Sequence, residues 1–369
     1  MEKCLLCKKN DADATNSHII TWGLIKEAIN RSGFKERNYE TTYSISNFDI
    51  PKLYTGRSIL PEHIEDILGY QPEDKQITNN KDPLSRDNIF CDFCESALGK
   101  IESEFIEKVY GKLIKQSFSS TSLDSKGNKV VELADYHSKL TKLLAYTLFF
   151  RTSLVKLNNV ALNPKIHENI RLIILSTLSD DNKILAINIK KLKEEEFIYP
   201  LVITYLETNA DDENSQNVVI QNRSDLPYFI LANRMIFQLF QKEKQVYSSI
   251  QNFYGLFKIL NNRDYFSSIS DKVSIGIISN SNRSKLITTA LQFLAEDNME
   301  NGKALLRKAF KLLVKRNPSE EEIGVFIFNY SQLFAQKLHG NIKDLFFATF
   351  QFTFIKKPTV EDLELLLKQ

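Results

Sequence analysis

The chain has 369 residues, of which 43% are hydrophobic and 25% are charged, and its formal net charge is +2. At roughly 150 residues per domain this length indicates two or three domains, and the composition is that of a globular protein with a sizeable core. The sequence has no apolar run near the roughly 18 residues of a membrane helix, and its N-terminus is not typical of a signal peptide. We therefore expect a cytoplasmic protein with no membrane partner and with reduced cysteines.

The four cysteines form two Cys-x-x-Cys pairs, Cys4 with Cys7 and Cys91 with Cys94. In a reducing compartment this arrangement favours four thiolates around one structural Zn²⁺ over disulfide bonds. A thioredoxin-like redox motif would use one pair within a βαβ unit and would leave the other pair without a role. Two unrelated pairs of buried cysteines are the remaining alternative.

The first 117 residues are predicted to form the zinc module. The segment TWGLIKEAINRSG is typical of a helix that ends at Gly33. Residues 36–60 predict a strand or an irregular segment, and the polar residues 71–88 predict a loop. A helix is expected to begin near Cys91, where free N–H groups and the helix dipole would stabilise thiolates. A knuckle, a strand or hairpin, and a helix in this order are the layout of a treble-clef zinc fold.

The rest of the chain is predicted to be mostly helical. Residues 118–129 contain several serines and a glycine and predict a linker. A mixed helical and β domain is expected over residues 130–282, followed by a C-terminal helical region over residues 283–369. The predicted fold class is thus α+β: a treble-clef zinc module followed by a mostly α-helical domain with a small antiparallel β element near residues 197–240.

Within this second part, residues 140–157 (LTKLLAYTLFFRTSLVKL) predict a buried helix. Residues 197–206 and 217–222 predict strands, because both are short and apolar and flank a polar loop. Residues 228–240 fit either a strand or a buried helix. From Ser284 onwards the periodicity indicates four or five amphipathic helices.

Three segments carry a resemblance to a known family: CLLC at residues 4–7, SHII at residues 17–20, and NIFCDFCESALGKIESEF at residues 88–105. Together they resemble the HNH endonuclease superfamily, and most closely bacterial HNH-like proteins with Cys-x-x-Cys, then SHII, then CxxCE and a later Glu and Phe. The resemblance covers residues 1–110 and extends faintly to the LLAYTLFFRTSL helix. It implies a metal-dependent nuclease that hydrolyses DNA phosphodiesters. By analogy, such a nuclease would serve in bacterial defence against phage or foreign DNA.

The resemblance also implies roles for individual residues. His18 would be the general base that activates water for attack on a phosphodiester, which suits its near-neutral pKa. Asn88 would be the orienting asparagine. Glu95, with Glu102, would bind a second divalent cation, Mg²⁺ or Mn²⁺, because hard cations prefer carboxylate oxygens. As an alternative, His18 hydrogen-bonds the backbone of the zinc knuckle.

The chain departs from the family pattern at three positions. Thr21 replaces the proline that follows SHII, Arg86 stands where the middle asparagine commonly lies, and Glu95 replaces a final His or Asn. Asn88 also suits a helix cap, which is the role we favour. A carboxylate at the helix N-terminus for Glu95 and a solvated Glu102 are the structural alternatives.

A separate basic series follows a predicted C-terminal helix at four-residue spacing: Lys303, Arg307, Lys311 and Lys315. Such a series can follow a nucleic-acid backbone. We favour an ordinary solvated face, because charged residues opposite an apolar face are the usual pattern of a surface helix. If the series forms a basic surface, Arg283 would extend it.

Two functional hypotheses follow. In the first, the chain is a metal-dependent nuclease with nucleic acid, most simply DNA, as its partner. In the second, it is a non-catalytic, zinc-stabilised protein that binds a protein or a nucleic acid, or that forms a subunit of a complex. Residues 1–116 carry 16 Lys and Arg against 19 Asp and Glu. The zinc module alone is therefore not a general polyanion binder.

Overall fold

The computed structural model describes residues 2–29, 41–44, 52–55, 59, 63–65, 84–118, 121–155, 162–208, 219–221, 227–248, 265, 271–336, 349–350 and 353–354. The chain forms two compact units. The first contains residues 1–41 and 55–288, and the second contains residues 42–54 and 289–369. Within the described ranges, no helix combines the length and the apolar character that crossing a membrane requires.

The N-terminal region contains short strands and one short helix before the second cysteine pair. Its elements are β1 (Ser17–His18), α1 (Trp22–Ile29), β2 (Thr41–Ser44), β3 (Lys52–Thr55) and β4 (Ser85–Arg86). β1 pairs antiparallel with β4, with Ser17 opposite Arg86 and His18 opposite Ser85. β2 and β3 form a separate two-stranded sheet. The β1–β4 pairing brings residues that are almost 70 positions apart to the start of the next helix.

That next helix is α2 (Asp92–Phe105), which continues through a π-helical turn (Ile106–Tyr110) into α3 (Gly111–Ile114). Its apolar residues recur every three or four positions and are buried, including Leu98, Ile101 and Phe105. This periodicity, visible in the sequence, is the reason that the helix packs one face into the core.

A seven-stranded sheet forms the centre of the first unit. Its strands are β5 (Thr121–Leu123), β6 (Lys129–Ala134), β7 (Leu201–Leu206), β8 (Val219–Gln221), β9 (Tyr228–Ala232), β10 (Met235–Leu239) and β11 (Lys272–Ile278). The strand order is β5-β6-β11-β7-β10-β9-β8, and every pair is antiparallel except β11 with β7. β7 is buried along its whole length, as is typical of a central strand covered on both faces.

Helix α4 (Asp135–Val155) packs against strands β6 and β11 of this sheet, and α5 (Pro164–Thr177) and α6 (Asn182–Lys191) pack against α4. A short helix, α7 (Glu243–Ser248), follows β10. α4 is the helix predicted over residues 140–157, and it is buried on nearly all sides, including its charged residues Lys142 and Arg151. An Asn163 side chain caps the N-terminus of α5 by accepting a hydrogen bond from the Lys165 N–H. One hydrophobic core runs from the cysteines through α2, α4 and α5 to the sheet.

The C-terminal part of the described chain is helical, as predicted. α8 (Asn280–Leu313) is 34 residues long, and α9 (Glu320–Gln336) follows after a short turn. In the second unit, Leu306, Ala309 and Phe310 of α8 pack with Ile323 and Phe326 of α9.

The structure differs from the sequence-based expectation in the amount of sheet. The expected strands at residues 197–206 and 217–222 are present as β7 and β8, and residues 228–240 form the hairpin β9–β10. The segment predicted as a linker instead forms the hairpin β5–β6, whose turn is closed by Asp124 and by Gly127 with a φ of +80°. Small polar residues and glycine favour tight turns as much as linkers, so composition alone did not separate the two. The predicted boundary between residues 117 and 130 lies inside the first unit.

Candidate metal centre and the adjacent polar corner

The sulfur cluster consists of Cys4, Cys7, Cys91 and Cys94. Their Sγ atoms all lie within 4.8 Å of one another, and the Sγ atoms of Cys7 and Cys91 are 3.9 Å apart. A tetrahedral zinc ion with Zn–S bonds of about 2.3 Å would hold its sulfurs about 3.8 Å apart. The four cysteines therefore lie close enough to hold a metal ion, as the spacing of the two pairs predicts. Among the described residues, this is the only such group of His, Cys, Asp and Glu ligands.

Local backbone structure brings the two pairs together. The first pair lies on a tight loop in which the Cys4 N–H binds the Asn10 carbonyl (2.9 Å) and the Lys8 N–H binds the Cys4 carbonyl (2.8 Å). Lys8 takes a φ of +60°, which turns the chain back after Cys7. The second pair begins α2, with Cys91 as its N-cap residue. The Leu5 N–H donates to the Ile89 carbonyl and joins the two segments.

The surroundings of the sulfurs favour negative charge at one of them. The pKa of Cys4 is lowered to about 4, chiefly by a hydrogen bond from Cys94 and further by the N–H groups of Cys7, Cys91 and Leu6. The same Cys4–Cys94 contact and burial raise the pKa of Cys94, and burial raises that of Cys91. Four sulfurs this close, three of them in buried cysteines, cannot all ionise unless a cation stabilises them. A divalent metal ion is the cation that such a donor set fits.

A second buried cluster, the polar corner, lies beside α2. It consists of Arg151, Glu95, Glu102 and the backbone carbonyl of His18. The Arg151 side chain is 1% exposed and donates to the His18 carbonyl. Its Nη1 and Nη2 atoms lie 3.3 and 3.4 Å from Glu95 Oε1, and Nη2 lies 3.3 Å from Glu102 Oε1. One guanidinium thus joins α4, α2 and the end of β1.

The two carboxylates lie on the same face of α2, as their seven-residue spacing predicts. The alternative of a solvated Glu102 is wrong, since its side chain is only 14% exposed. Burial raises the pKa of Glu102 and the nearby Glu95 adds to this effect, while Arg151 and the Thr21 hydroxyl oppose it. Two carboxylates against one guanidinium leave the polar corner with one excess negative charge when both are ionised.

Several buried polar atoms around the polar corner have no hydrogen-bond partner among the described residues. They include the hydroxyls of Ser17 and Ser85, Glu95 Oε2 and Arg151 Nε. Ser17 and Ser85 lie on the paired strands β1 and β4, next to His18. Buried polar groups are almost always satisfied, so a set of this kind is suited to bind water, an ion or a polar ligand.

The other residues assigned to this site lie at its edge. His18 ends β1 and is half-buried. Asn88 is exposed and has a φ of +58°, and its N–H donates to the Ala14 carbonyl at 2.9 Å. The helix-cap role favoured for Asn88 is wrong, because the N-cap of α2 is Cys91. Its orienting role stays a prediction. Arg86 lies opposite Ser17 and donates to the Ser85 carbonyl at 3.0 Å.

The basic C-terminal series is only partly a continuous stripe. Lys303 is paired with Glu300 at 2.6 Å, and Arg307 is paired with Glu320 at 3.3 Å. Lys311 is exposed on α8. Lys315 lies beyond the end of α8, with a φ of +61°, so it does not continue the helical series.

Arg283 does not extend this basic surface, because its side chain is 1% exposed. The expectation that it adds to the surface is therefore wrong. It is the fourth residue of α8 and lies in the part of this helix that belongs to the first unit, where Leu286 and Ile287 are also buried. Amphipathic spacing alone does not distinguish the solvent face of a long helix from a stretch that the fold buries.

Sequence reasoning missed Arg151 as a member of the site. The chain does carry one signal: Arg151 is the only charged residue of the 13-residue, mostly apolar stretch 143–155. A buried arginine needs acidic or carbonyl partners, so its presence predicts a buried polar contact. Which residues supply that contact depends on how α4 packs on α2, and local spacing does not contain this information.

Comparisons with known proteins do not add an identity. No protein-family model matches the chain, no curated protein matches it, and no solved structure matches it. Any functional assignment therefore depends on the chemistry of the sulfur cluster and the polar corner.

Proposed function

We propose that the sulfur cluster binds one structural zinc ion and that residues around it form a treble-clef module. The support is the donor set: four thiols within 4.8 Å, one pair on a tight loop and the other at a helix start, with β1–β4 between them. All four positions of a tetrahedral site are then filled by protein, which is typical of structural zinc. A zinc ion bound in this way would stabilise the fold instead of reacting with a substrate.

We further propose that the polar corner is the active site of an HNH-type, metal-dependent nuclease that hydrolyses DNA phosphodiesters. The observation that carries this proposal is the convergence of Glu95, Glu102 and the end of the His18 strand on one buried point, next to the sulfur cluster. The excess negative charge and the unpartnered Glu95 Oε2 and seryl hydroxyls suit a second divalent cation.

Each residue has a defined task in this proposal. Glu95 and Glu102 would hold Mg²⁺ or Mn²⁺, which stabilises charge on the phosphate and the leaving oxygen. His18 would take a proton from the attacking water, since an imidazole is a suitable base near neutral pH. Arg151 would keep the two carboxylates ionised and oriented on one face of α2.

A second candidate function is a non-catalytic, zinc-stabilised module that binds a protein or a nucleic acid. The observation that favours it is the position of Arg151, whose guanidinium lies between the carboxylates and already supplies them with a cation. The polar corner would then be a buried ion-pair network that joins α4 to α2. Such networks are found in folds without catalytic function.

Plasmid nicking separates the two functions. The full-length protein, purified with its zinc, is incubated with supercoiled plasmid with and without added Mg²⁺ or Mn²⁺. The nuclease proposal predicts cleavage that depends on the added cation and falls by about 10²–10⁴ in His18→Ala, the usual contribution of a general base. Glu102→Gln should lose activity to a similar degree.

The matched control is Glu107→Gln, which changes an exposed carboxylate on the π-helical turn just after α2. It should cleave at the wild-type rate. No cation-dependent cleavage by the wild type, or equal cleavage by wild type and His18→Ala, would remove the nuclease proposal and leave the binding module.

A further inference from the structure

Helix α5 contacts the loop between the first two cysteines. Arg171 donates from Nη1 to the carbonyl of Leu6, which lies between Cys4 and Cys7. Its Nε and Nη2 atoms bind the Glu168 carboxylate at 2.9 and 2.7 Å. Glu168 also accepts a hydrogen bond from Lys8, the residue after Cys7, at 2.9 Å. Lys8, Glu168 and Arg171 therefore form a clamp that joins α5 to both sides of this loop.

The residues of the clamp differ in burial, and this difference separates Arg171 from an ordinary surface ion pair. The Arg171 side chain is 7% exposed, while Glu168, its partner one helical turn away, is 42% exposed. An ordinary ion pair along a helix surface leaves both side chains in solvent and contributes little. Arg171 is instead buried towards the cysteine loop, where a guanidinium is costly unless carbonyls and negative charge compensate it. The Glu168 carboxylate provides most of that compensation, and the Leu6 carbonyl and the neighbouring sulfurs of Cys7 and Cys4 add to it on the side of the loop.

The charge of a metal-filled sulfur cluster is a second reason to expect a cation beside the loop. Four thiolates around one divalent ion carry a net charge of −2, and burying such a charge is unfavourable unless a cation lies close by. The Asn10 Nδ2 group donates to Cys91 Sγ at 3.6 Å, but an amide brings no net charge. The clamp brings two cations and one carboxylate, a net charge of +1, directly against the loop.

We propose that Arg171 is a positioning residue of the metal centre. It fixes the Leu6 carbonyl and so the spacing of Cys4 and Cys7, and its charge offsets part of the negative charge of the filled site. Retention of the metal and docking of the cysteine loop on α5 are therefore coupled. This inference rests on the zinc occupancy proposed above, and it assigns to α5 a role that nuclease chemistry does not require.

Competition for zinc against a chromophoric chelator of known affinity tests the proposal on the full-length protein. Arg171→Met, which keeps the length of the side chain, should raise the zinc dissociation constant about 10- to 100-fold, the usual effect of losing a partner behind a metal ligand. Arg171→Lys should lose less, because lysine keeps the charge but not the forked geometry. Glu168→Gln should show the smallest rise.

The control is Arg316→Met. Arg316 is paired with Glu322 in a similar two-point contact at 2.5 and 2.8 Å, but it lies in the second unit and is 54% exposed. The zinc affinity of the Arg316→Met protein should equal that of the wild type. A purely structural role of Arg171 would lower the urea midpoint at saturating zinc without changing the zinc dissociation constant, and this result would overturn the proposal.

Three further outcomes are decisive. If Arg171→Met does not fold, the test uses Glu168→Gln, which alters only a half-exposed side chain. An unchanged zinc affinity of Glu168→Gln would then overturn the proposal. A wild-type chain that is purified without zinc and binds none on titration would overturn the zinc assignment itself and this inference with it. A zinc-loaded wild type with an unaffected Arg171→Met would overturn this inference alone.

Discussion

The sulfur cluster and the polar corner are two buried, charged sites that share α2, and they differ in where their positive charge comes from. The sulfur cluster consists of four potential anions, and no cationic side chain lies among its ligands. The polar corner also holds two anions, but Arg151 lies between them. The first site therefore depends on an external cation, whereas the second is largely compensated from within the chain.

The two sites therefore differ in how strongly they require a metal ion. Four thiols that converge with no cationic side chain among them form the donor set of a structural zinc site. Two carboxylates that converge on an arginine form an ion pair in their own right, and a second metal ion would have to add to it or displace it. Substitutions at the two sites therefore test whether only the sulfur cluster depends on a metal ion.

The largest effect is expected from Cys94→Ser. Removing one thiolate should abolish tight zinc binding, and structural zinc contributes about 10 kcal/mol or more to folding in small zinc modules. We expect loss of zinc by elemental analysis and rapid proteolysis of the N-terminal region. Ser96→Ala, an exposed position on the same helix, should behave as the wild type. A Cys94→Ser protein that keeps its zinc would contradict the four-sulfur site.

A smaller loss is expected from Arg151→Met, about 3–5 kcal/mol in the free energy of unfolding, because Glu95 and Glu102 would lose their buried partner. Urea denaturation measures this change. Adding Glu102→Gln to the same variant should recover part of the loss, since one uncompensated charge is then removed. The zinc content should stay at the wild-type level, and a loss of zinc would show that the two sites are not separate.

The pH dependence of stability tests the charge state of the polar corner. Burial raises the pKa of Glu102 above its usual value of 4.5. The folded state therefore binds a proton that the unfolded state releases above pH 4.5, so the stability linked to Glu102 is present at low pH and declines as pH rises through the folded pKa. Compared with Glu102→Gln, the wild type should lose stability as the pH is raised from 4.5. Urea denaturation at several pH values measures the free energy of unfolding of both proteins. A wild type that instead becomes more stable relative to Glu102→Gln as the pH rises would contradict this assignment.

The smallest effect is expected at the basic C-terminal series. Lys303 and Arg307 are already paired with Glu300 and Glu320, and exposed pairs contribute about 0–1 kcal/mol. The double variant Lys303→Gln, Arg307→Gln should unfold within that range of the wild type. If the chain binds DNA, the salt dependence of binding should hardly change, whereas a clearly reduced slope would show that these charges contact phosphates.

The sequence predicted those features that depend on local spacing. The two Cys-x-x-Cys pairs, the shared face of Glu95 and Glu102, and the buried helix around Arg151 all follow from short-range periodicity or motif spacing. Each is present in the structure. The strands β7 and β8 were also predicted from local sequence, because both are short apolar segments beside a polar loop, and both are present.

The features that sequence analysis missed depend on contacts between distant segments. Arg151 meets Glu95 only because α4 packs against α2, and Arg171 meets Leu6 across 165 positions. The seven-stranded sheet was underestimated because its edge strand β5 is short and the β5–β6 hairpin begins in a serine-rich stretch. The parallel pairing of β11 with β7 is likewise a long-range arrangement. Such contacts are set by packing, and no single stretch of sequence encodes them.

The most direct test of this account is the metal content of the wild-type chain purified without added metal. Inductively coupled plasma mass spectrometry should find one zinc per chain, bound tightly enough to survive desalting. A folded chain with no zinc and with four thiols that react freely with a thiol reagent would contradict the account.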